Sequence, residues 1–243
     1  MNVLLIRPLA QVQTLEALVA DSGYKPLLFP TLKIKSISAK LKHSQYDVVI
    51  FISVNAVEHG LVLLDQIHPA KIFTVGAATA QKLNDYGISV DDFPREKPSS
   101  EALLALNSVS QLRHKKVLIF RGKGGRETLK NGLEKNHNQV EYIEVYDRVV
   151  CTLTPDHKTS LNIFLSNNQG VISITSNENL DGLISLATQL NQLDKLKTYL
   201  LVVLSQRIEK YALSLGFTQT LITVDISDQA IVTVLEDIDT LDK

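Results

Sequence analysis

The chain has 243 residues, 44% of them hydrophobic and 21% charged, with 25 Lys and Arg against 26 Asp and Glu and one cysteine, Cys151. That length exceeds the usual single domain and leaves room for two cores of about 120 residues each. The balanced charge leaves no net basic field for nucleic acid, one thiol cannot build an internal disulfide framework, and no apolar run reaches the ~18 residues of a membrane span.

Residues 3–6 form a short run of branched side chains ending at Arg7-Pro8, without the basic segment and long apolar stretch of an export signal. The expectation is an unexported, cytoplasmic protein with no membrane partner. Leu32-Lys33-Ile34-Lys35-Ser36-Ile37-Ser38 alternates apolar and polar residues, as a half-exposed ribbon does. A second branched run, 48–52, opens into Ser53-Val54-Asn55, and Val75-Gly76-Ala77 leads into Thr79-Ala80. Pro94 and Pro98 mark a loop that enters a helix over 101–112 capped at Ser99-Ser100-Glu101. The run 117–120 ends in Arg121-Gly122-Lys123-Gly124-Gly125-Arg126. Tyr146 precedes a second ribbon, in which Val149, Cys151 and Leu153 share one side. Runs 171–174 and 200–204 open into Thr175-Ser176-Asn177 and Ser205-Gln206. Helical i, i+3, i+4, i+7 faces follow at Leu180, Leu183, Ile184 and Ala187, at Ile208, Tyr211, Ala212 and Leu215, and at Ile231, Val234, Leu235 and Ile238.

Nearly continuous apolar strands alternating with amphipathic helices predict an α/β fold with doubly wound parallel sheets. If the two ribbons pair, residues 1–31 and 155–243 form a discontinuous domain, 39–146 a domain inserted in it, and 32–38 with 147–154 the ladder between them. The plainer alternative is two tandem domains split near 113. Three junctions recur in matching order: Arg7 with Arg121, Ser53 to Asn55 with Thr175 to Asn177, and Gly76 with Ser205. Such recurrence points to one duplicated unit and to a chain that faces itself across a cleft.

In open α/β sheets ligands bind beyond the carboxyl ends of the strands, where helix N-termini present unpaired N–H groups. Arg7, Ser53, Asn55, Gly76, Ala77, Arg121, Gly122, Ser176, Asn177 and Ser205 fall at such ends and are the candidate site, though each hydroxyl there also suits an ordinary helix cap. The three glycines and three cations of 121–126 suit a carboxylate or phosphate, yet neither a P-loop nor a dinucleotide glycine pattern is present. The six histidines show no metal-ligand spacing, and no nucleophile elbow occurs, so neither metal nor cofactor is expected.

Phe51-Ile52-Ser53-Val54-Asn55-Ala56-Val57, Val75-Gly76-Ala77-Ala78-Thr79-Ala80, Ser100-Glu101-Ala102-Leu103-Leu104, the turn 121–129, Val145-Tyr146 and Ser205-Gln206-Arg207-Ile208 together resemble, in this order and across essentially the whole chain, uroporphyrinogen-III synthase. The resemblance implies two flavodoxin-like α/β domains, one inserted in the other and joined by a two-stranded ladder. It implies the closure of hydroxymethylbilane, a linear tetrapyrrole, to uroporphyrinogen III with inversion of ring D and loss of water, in heme biosynthesis and without cofactor. By motif position it assigns hydroxyl departure to Tyr146 as the catalytic residue, and lines the pocket with Arg7, Ser53, Asn55, Gly76, Thr79, Arg121, Gly122 and Arg126. A monomer receiving its substrate by transient hand-over from the preceding pathway enzyme is expected. The rival readings are a non-enzymatic module that closes on a small anion, and a nucleotide-dependent transferase using 121–126 for phosphate.

Overall fold

The computed structural model describes residues 1–166 and 169–241. In chain order its elements are β1 (Asn2–Leu5), a 3-10 turn (Leu9–Gln11), α1 (Gln13–Asp21), β2 (Lys25–Leu28), β3 (Leu32–Ser36), β4 (Val48–Phe51), α2 (Val54–Leu64), β5 (Lys71–Thr74), α3 (Ala77–Asp85), α4 (Ser100–Ala105), α5 (Asn107–Ser110), β6 (Lys116–Gly122), α6 (Thr128–Glu134) and β7 (Gln139–Val150). There follow α7 (Pro155–Ser166), β8 (Gly170–Ile174), α8 (Asn177–Gln189), α9 (Leu193–Leu196), β9 (Leu200–Val203), α10 (Gln206–Ser214), β10 (Gln219–Ile222) and α11 (Asp228–Leu241). Two compact units result, Met1–Lys33 with Val149–Lys243, and Ile34–Arg148. Among the described residues no helix is long and apolar enough to cross a membrane.

The first unit holds a parallel sheet in the order β10-β9-β8-β1-β2. Counted along this unit alone, that is the 2-1-3-4-5 order of the flavodoxin-like doubly wound fold. Its three central strands, β9, β8 and β1, read as continuous apolar runs because each feeds two cores at once. Leu4 and Ile6 join one cluster with Ile172, Ile174, Leu201 and Val203, while Val3 and Leu5 join another with Val171 and Val202. Period-2 alternation supplies both faces, and helices cover both. Pro26 is tolerated in β2 because that strand is the sheet edge.

The second unit follows the same plan, with order β3-β7-β6-β4-β5. Strands β5, β4, β6 and β7 are parallel. Val49 and Phe51 enter one core with Leu118 and Phe120; Val48 and Ile50 enter the other with Val117 and Ile119. Two further hydrogen bonds, Ile37 N to Val145 O at 2.9 Å and Cys151 N to Thr31 O at 2.9 Å, run in opposite senses along the two ribbons and mark them as an antiparallel ladder. The chain passes between its two units through these ribbons, which is the inserted arrangement and not the tandem one.

Two expectations differ in detail. The helix over 101–112 is broken at Leu106, which is extended at φ −63°, ψ 135° between α4 and α5. Its inward residues Leu103, Leu106, Val109 and Leu112 are spaced by three. That spacing lags an α-helical turn by about 60° at each step, so only a break keeps all four on the sheet.

The recurring junctions also pair differently from a simple duplication. Arg7 follows the first strand of its unit but Arg121 lies within the end of the third of the other; Ser53 follows a first strand and Ser176 a third; Gly76 follows a second and Ser205 a fourth. The recurrence relates one half of each doubly wound sheet to the opposite half of the other, because the two halves are themselves similar βαβ units. The match is nonetheless physical. Gly76 and Ser205 cap α3 and α10, and Gly87 and Gly216 end those helices with left-handed φ of 75° and 89°. The helix cap opposite Ser53 is Ser176, one residue beyond the Thr175 that the sequence aligns with it.

Candidate functional site

In the second unit the carboxyl ends of β4 and β6 and the irregular stretch of β7 beside them bring together Ser53, Gly122 and Tyr146. Ser53 has extended backbone and caps α2, its Oγ accepting from Ala56 N at 3.1 Å. The same oxygen lies 3.0 Å from the Tyr146 hydroxyl. Tyr146 reaches it because the β6–β7 register shifts: Arg121 pairs with Glu144 but Gly122 with Tyr146, leaving Val145 as an extra residue. A bulge of this kind re-aims side chains. Ile143, Val145 and Tyr146 consequently all enter one core cluster, two of them consecutive in sequence. The Tyr146 ring, 1% exposed, lies over Gly122, where an added Cβ would sit 2.6 Å from its Cζ. Two residues along the strand, Arg148 Nη2 donates to the Tyr146 hydroxyl at 3.3 Å. The His59 ring stands 6.1 Å from the Tyr146 ring, and its Nδ1 is held by Ser36 Oγ at 2.7 Å.

The glycine-rich turn is more self-contained than its sequence suggests. Arg121 is 3% exposed, its guanidinium 4.2 Å from the Tyr142 ring, with Nε donating to Gly122 O at 3.2 Å. Gly125, at φ 103°, passes so close that a Cβ there would meet Arg121 Nη2 at 2.7 Å. Each cation has a carboxylate of the chain beside it: Arg121 with Glu127 at 3.3 Å, Lys123 with Asp147 at 3.6 Å and Arg126 with Glu101 at 2.8 Å. Two amides are also engaged, Gly124 N by Glu144 at 2.9 Å and Lys123 N by Tyr146 O at 2.8 Å. The turn is an anion receptor already holding anions. The Glu101 carboxyl is kept below its ordinary pKa, first by its own backbone amide and then by Arg126. Burial pushes the Tyr142 phenol up, Glu127 adds to this, and Arg121 opposes it. A cavity of about 240 Å³ opens here, lined among others by Ser99, Arg121, Arg126 and Tyr142.

Gly76 caps α3 and admits the 94–98 loop, since a Cβ would stand 2.6 Å from Pro98 Cβ. Thr79 is buried behind it and Ala77 is exposed. Asn55 sits half-buried in the first turn of α2 and makes no side-chain hydrogen bond to the described residues.

In the first unit, Arg7 Nη1 meets Asp228 Oδ1 at 2.6 Å. Ser176 accepts from Asn179 N at 3.1 Å and Ser205 from Ile208 N at 3.4 Å, both as helix caps. Asn177 Oδ1 is buried without a hydrogen-bond partner, an acceptor that a ligand donor could satisfy. Among the described residues no group of three or more His, Cys, Asp or Glu is placed to hold a metal ion.

Sequence reasoning passed over Arg148, Tyr142 and the four carboxylates of the turn. Only Arg148 left a signal, since it lies two residues beyond Tyr146 in a ribbon and so shares a side with it.

The family model of uroporphyrinogen-III synthase HemD matches residues 13–232. The uroporphyrinogen-III synthase of Proteus mirabilis is 30% identical over 161 residues, 61% of this chain and 81% of that protein. That of Escherichia coli is 28% identical over 164 residues, 68% of this chain and 66% of that protein. The crystal structure of uroporphyrinogen-III synthetase from Helicobacter pylori superimposes over 98% of this chain and 99% of that one, with a TM-score of 0.67 at 16% identity, a likeness of fold. With the family match running from the start of α1 into α11 across both doubly wound sheets, the chain belongs to the uroporphyrinogen-III synthase HemD family.

Proposed function

We propose that this protein closes hydroxymethylbilane to uroporphyrinogen III, inverting ring D and releasing water, as a carbon–oxygen lyase of tetrapyrrole biosynthesis. The observation that carries the reading is the family match over 13–232. In this chemistry the C–O bond of the hydroxymethyl group breaks with its electron pair on oxygen, which takes a proton and leaves as water. The adjacent pyrrole nitrogen supports the methylene carbon left behind. Ring closure through a spiro intermediate then returns one proton, so the balance closes without redox change.

Tyr146 is the group we assign to protonation of the departing oxygen, supported by its hydroxyl contacts with Ser53 and Arg148. Unassisted closure gives the non-inverted isomer, so the protein's larger task is to hold the linear chain in a folded geometry. Strand-end amides and the exposed cation Arg126 suit the substrate's carboxylate arms. Because the Arg126–Glu101 pair is exposed, exchanging Glu101 for a substrate carboxylate costs little. We further assign the protein to the cytoplasm as a monomer that takes its substrate directly from the preceding enzyme, a hand-over favoured by the substrate's tendency to close wrongly.

Incubation with hydroxymethylbilane and separation of the product isomers tests the function. The type III isomer is expected, and exclusive type I product refutes the reading. Tyr146→Phe should cut turnover by about ten- to a hundredfold while still yielding mainly type III, since inversion depends on how the substrate is folded.

A further inference from the structure

The cations that sequence places at the turn of the second unit are each matched by a carboxylate of the chain, as described for Arg121, Lys123 and Arg126. Arg148 is not. Its side chain is exposed, and its contacts among the described residues are the Tyr146 hydroxyl at 3.3 Å and the face of that ring at 5.4 Å. A guanidinium carries five N–H donors in a planar fork that fits a carboxylate two at a time. One long hydrogen bond to a phenol leaves most of that fork open. The Tyr146 ring is buried and Ser53 is half-buried, so Arg148 is the exposed member of the group around the hydroxyl.

We propose that Arg148 is a substrate-contacting residue, receiving a carboxylate arm of the linear tetrapyrrole on the free edge of its guanidinium while its other edge positions the Tyr146 phenol. The proposal rests on the synthase reading. It ties recognition to chemistry through one side chain, because a carboxylate seated on Arg148 brings the neighbouring hydroxymethyl carbon toward the phenol. When the phenol proton leaves with the departing oxygen, the phenolate keeps the Arg148 N–H as a charge-assisted donor until the proton released at ring closure restores it. Arg121 cannot serve this way, since it is buried and wrapped by Gly125, Glu127 and Tyr142.

The test compares the wild type with Arg148→Met, Arg148→Lys, Tyr146→Phe and the Arg148→Met/Tyr146→Phe double variant. Two readouts are needed: steady-state conversion of hydroxymethylbilane, and equilibrium binding of uroporphyrin III, the oxidised product with the same carboxylate arms, followed by its fluorescence. Arg148→Met should weaken uroporphyrin binding and raise KM about tenfold, the loss of one charge-assisted contact. That effect should persist in the Tyr146→Phe background, whereas the accompanying fall in kcat should vanish there, because no phenol remains to be positioned. Lysine should recover part of the binding and little of kcat. Unchanged uroporphyrin affinity in Arg148→Met, with an unchanged melting temperature, overturns the proposal. Full turnover by Tyr146→Phe removes the proton-donor reading but leaves Arg148 to be judged by affinity. A wild type that binds uroporphyrin in an Arg148-dependent way but makes no type III product supports the carboxylate contact and defeats the synthase reading. A wild type that does not bind it overturns both.

Discussion

Replacing Gly122 by alanine should disable this protein through one methyl group. The Cβ would sit 2.6 Å from Tyr146 Cζ, 2.7 Å from Cε2 and 3.0 Å from the hydroxyl oxygen. Real Cβ contacts are never that short, so either the ring or β6 must move. The ring has little freedom, being 1% exposed and packed in the cluster that contains Phe51 and Phe120, themselves stacked at 4.5 Å. Overpacking of a filled core costs about 1–3 kcal/mol. The consequence for function is larger, because the displaced atom is the hydroxyl held by Ser53 and Arg148, and a misplacement of about 1 Å at a reacting group can cost on the order of a hundredfold in rate. The control is Gly170→Ala in the first unit, where the added Cβ would meet Phe164 Cε2 at a matching 2.6 Å with no proposed reacting group beside it. Urea unfolding of both variants and conversion of hydroxymethylbilane by each should show similar destabilisation but a far greater loss of kcat for Gly122→Ala. Equal kcat losses in the two would show that the rate follows general stability, and the placement of Tyr146 over Gly122 would then have no special bearing on chemistry.

Ser53→Ala removes both a helix cap and the phenol's partner, so a loss of about 1–2 kcal/mol is expected in denaturant unfolding, and a smaller one in the Tyr146→Phe background where the second bond is already gone. Equal losses in the two backgrounds would mean the Ser53–Tyr146 contact contributes nothing. Tyr46 offers a pH test: burial and then its hydrogen bond to Glu141 push its phenol up to about 12. Since the folded state holds the proton more tightly than the unfolded chain, its contribution is complete below pH about 10 and is lost as pH rises through about 12. Tyr46→Phe should therefore flatten the alkaline fall in stability, and a wild-type profile level from pH 9.5 to 11.5 would contradict this.

The sequence by itself determined what short-range physics governs. The five branched runs became strands because side chains alternating between two cores are apolar at every position. Ser53 and Ser205 became caps, and Gly87 and Gly216 helix ends, because those roles depend on a few neighbouring residues. The two period-2 ribbons were legible as half-exposed, and that reading led to the inserted arrangement. Tertiary structure alone decided how these pieces meet. Tyr146 touches Ser53 across 93 residues only because a bulge places Val145 and Tyr146 on one face, and alternation in the sequence would have set them on opposite faces. The turn read as an open anion receptor until register brought Asp147 beside Lys123 and Glu144 to the Gly124 amide, and packing brought Glu101 to Arg126. Periodicity encodes which face of an element is buried; it carries no information on which distant carboxylate will lie opposite a given arginine, because that depends on strand register and on where separate elements pack.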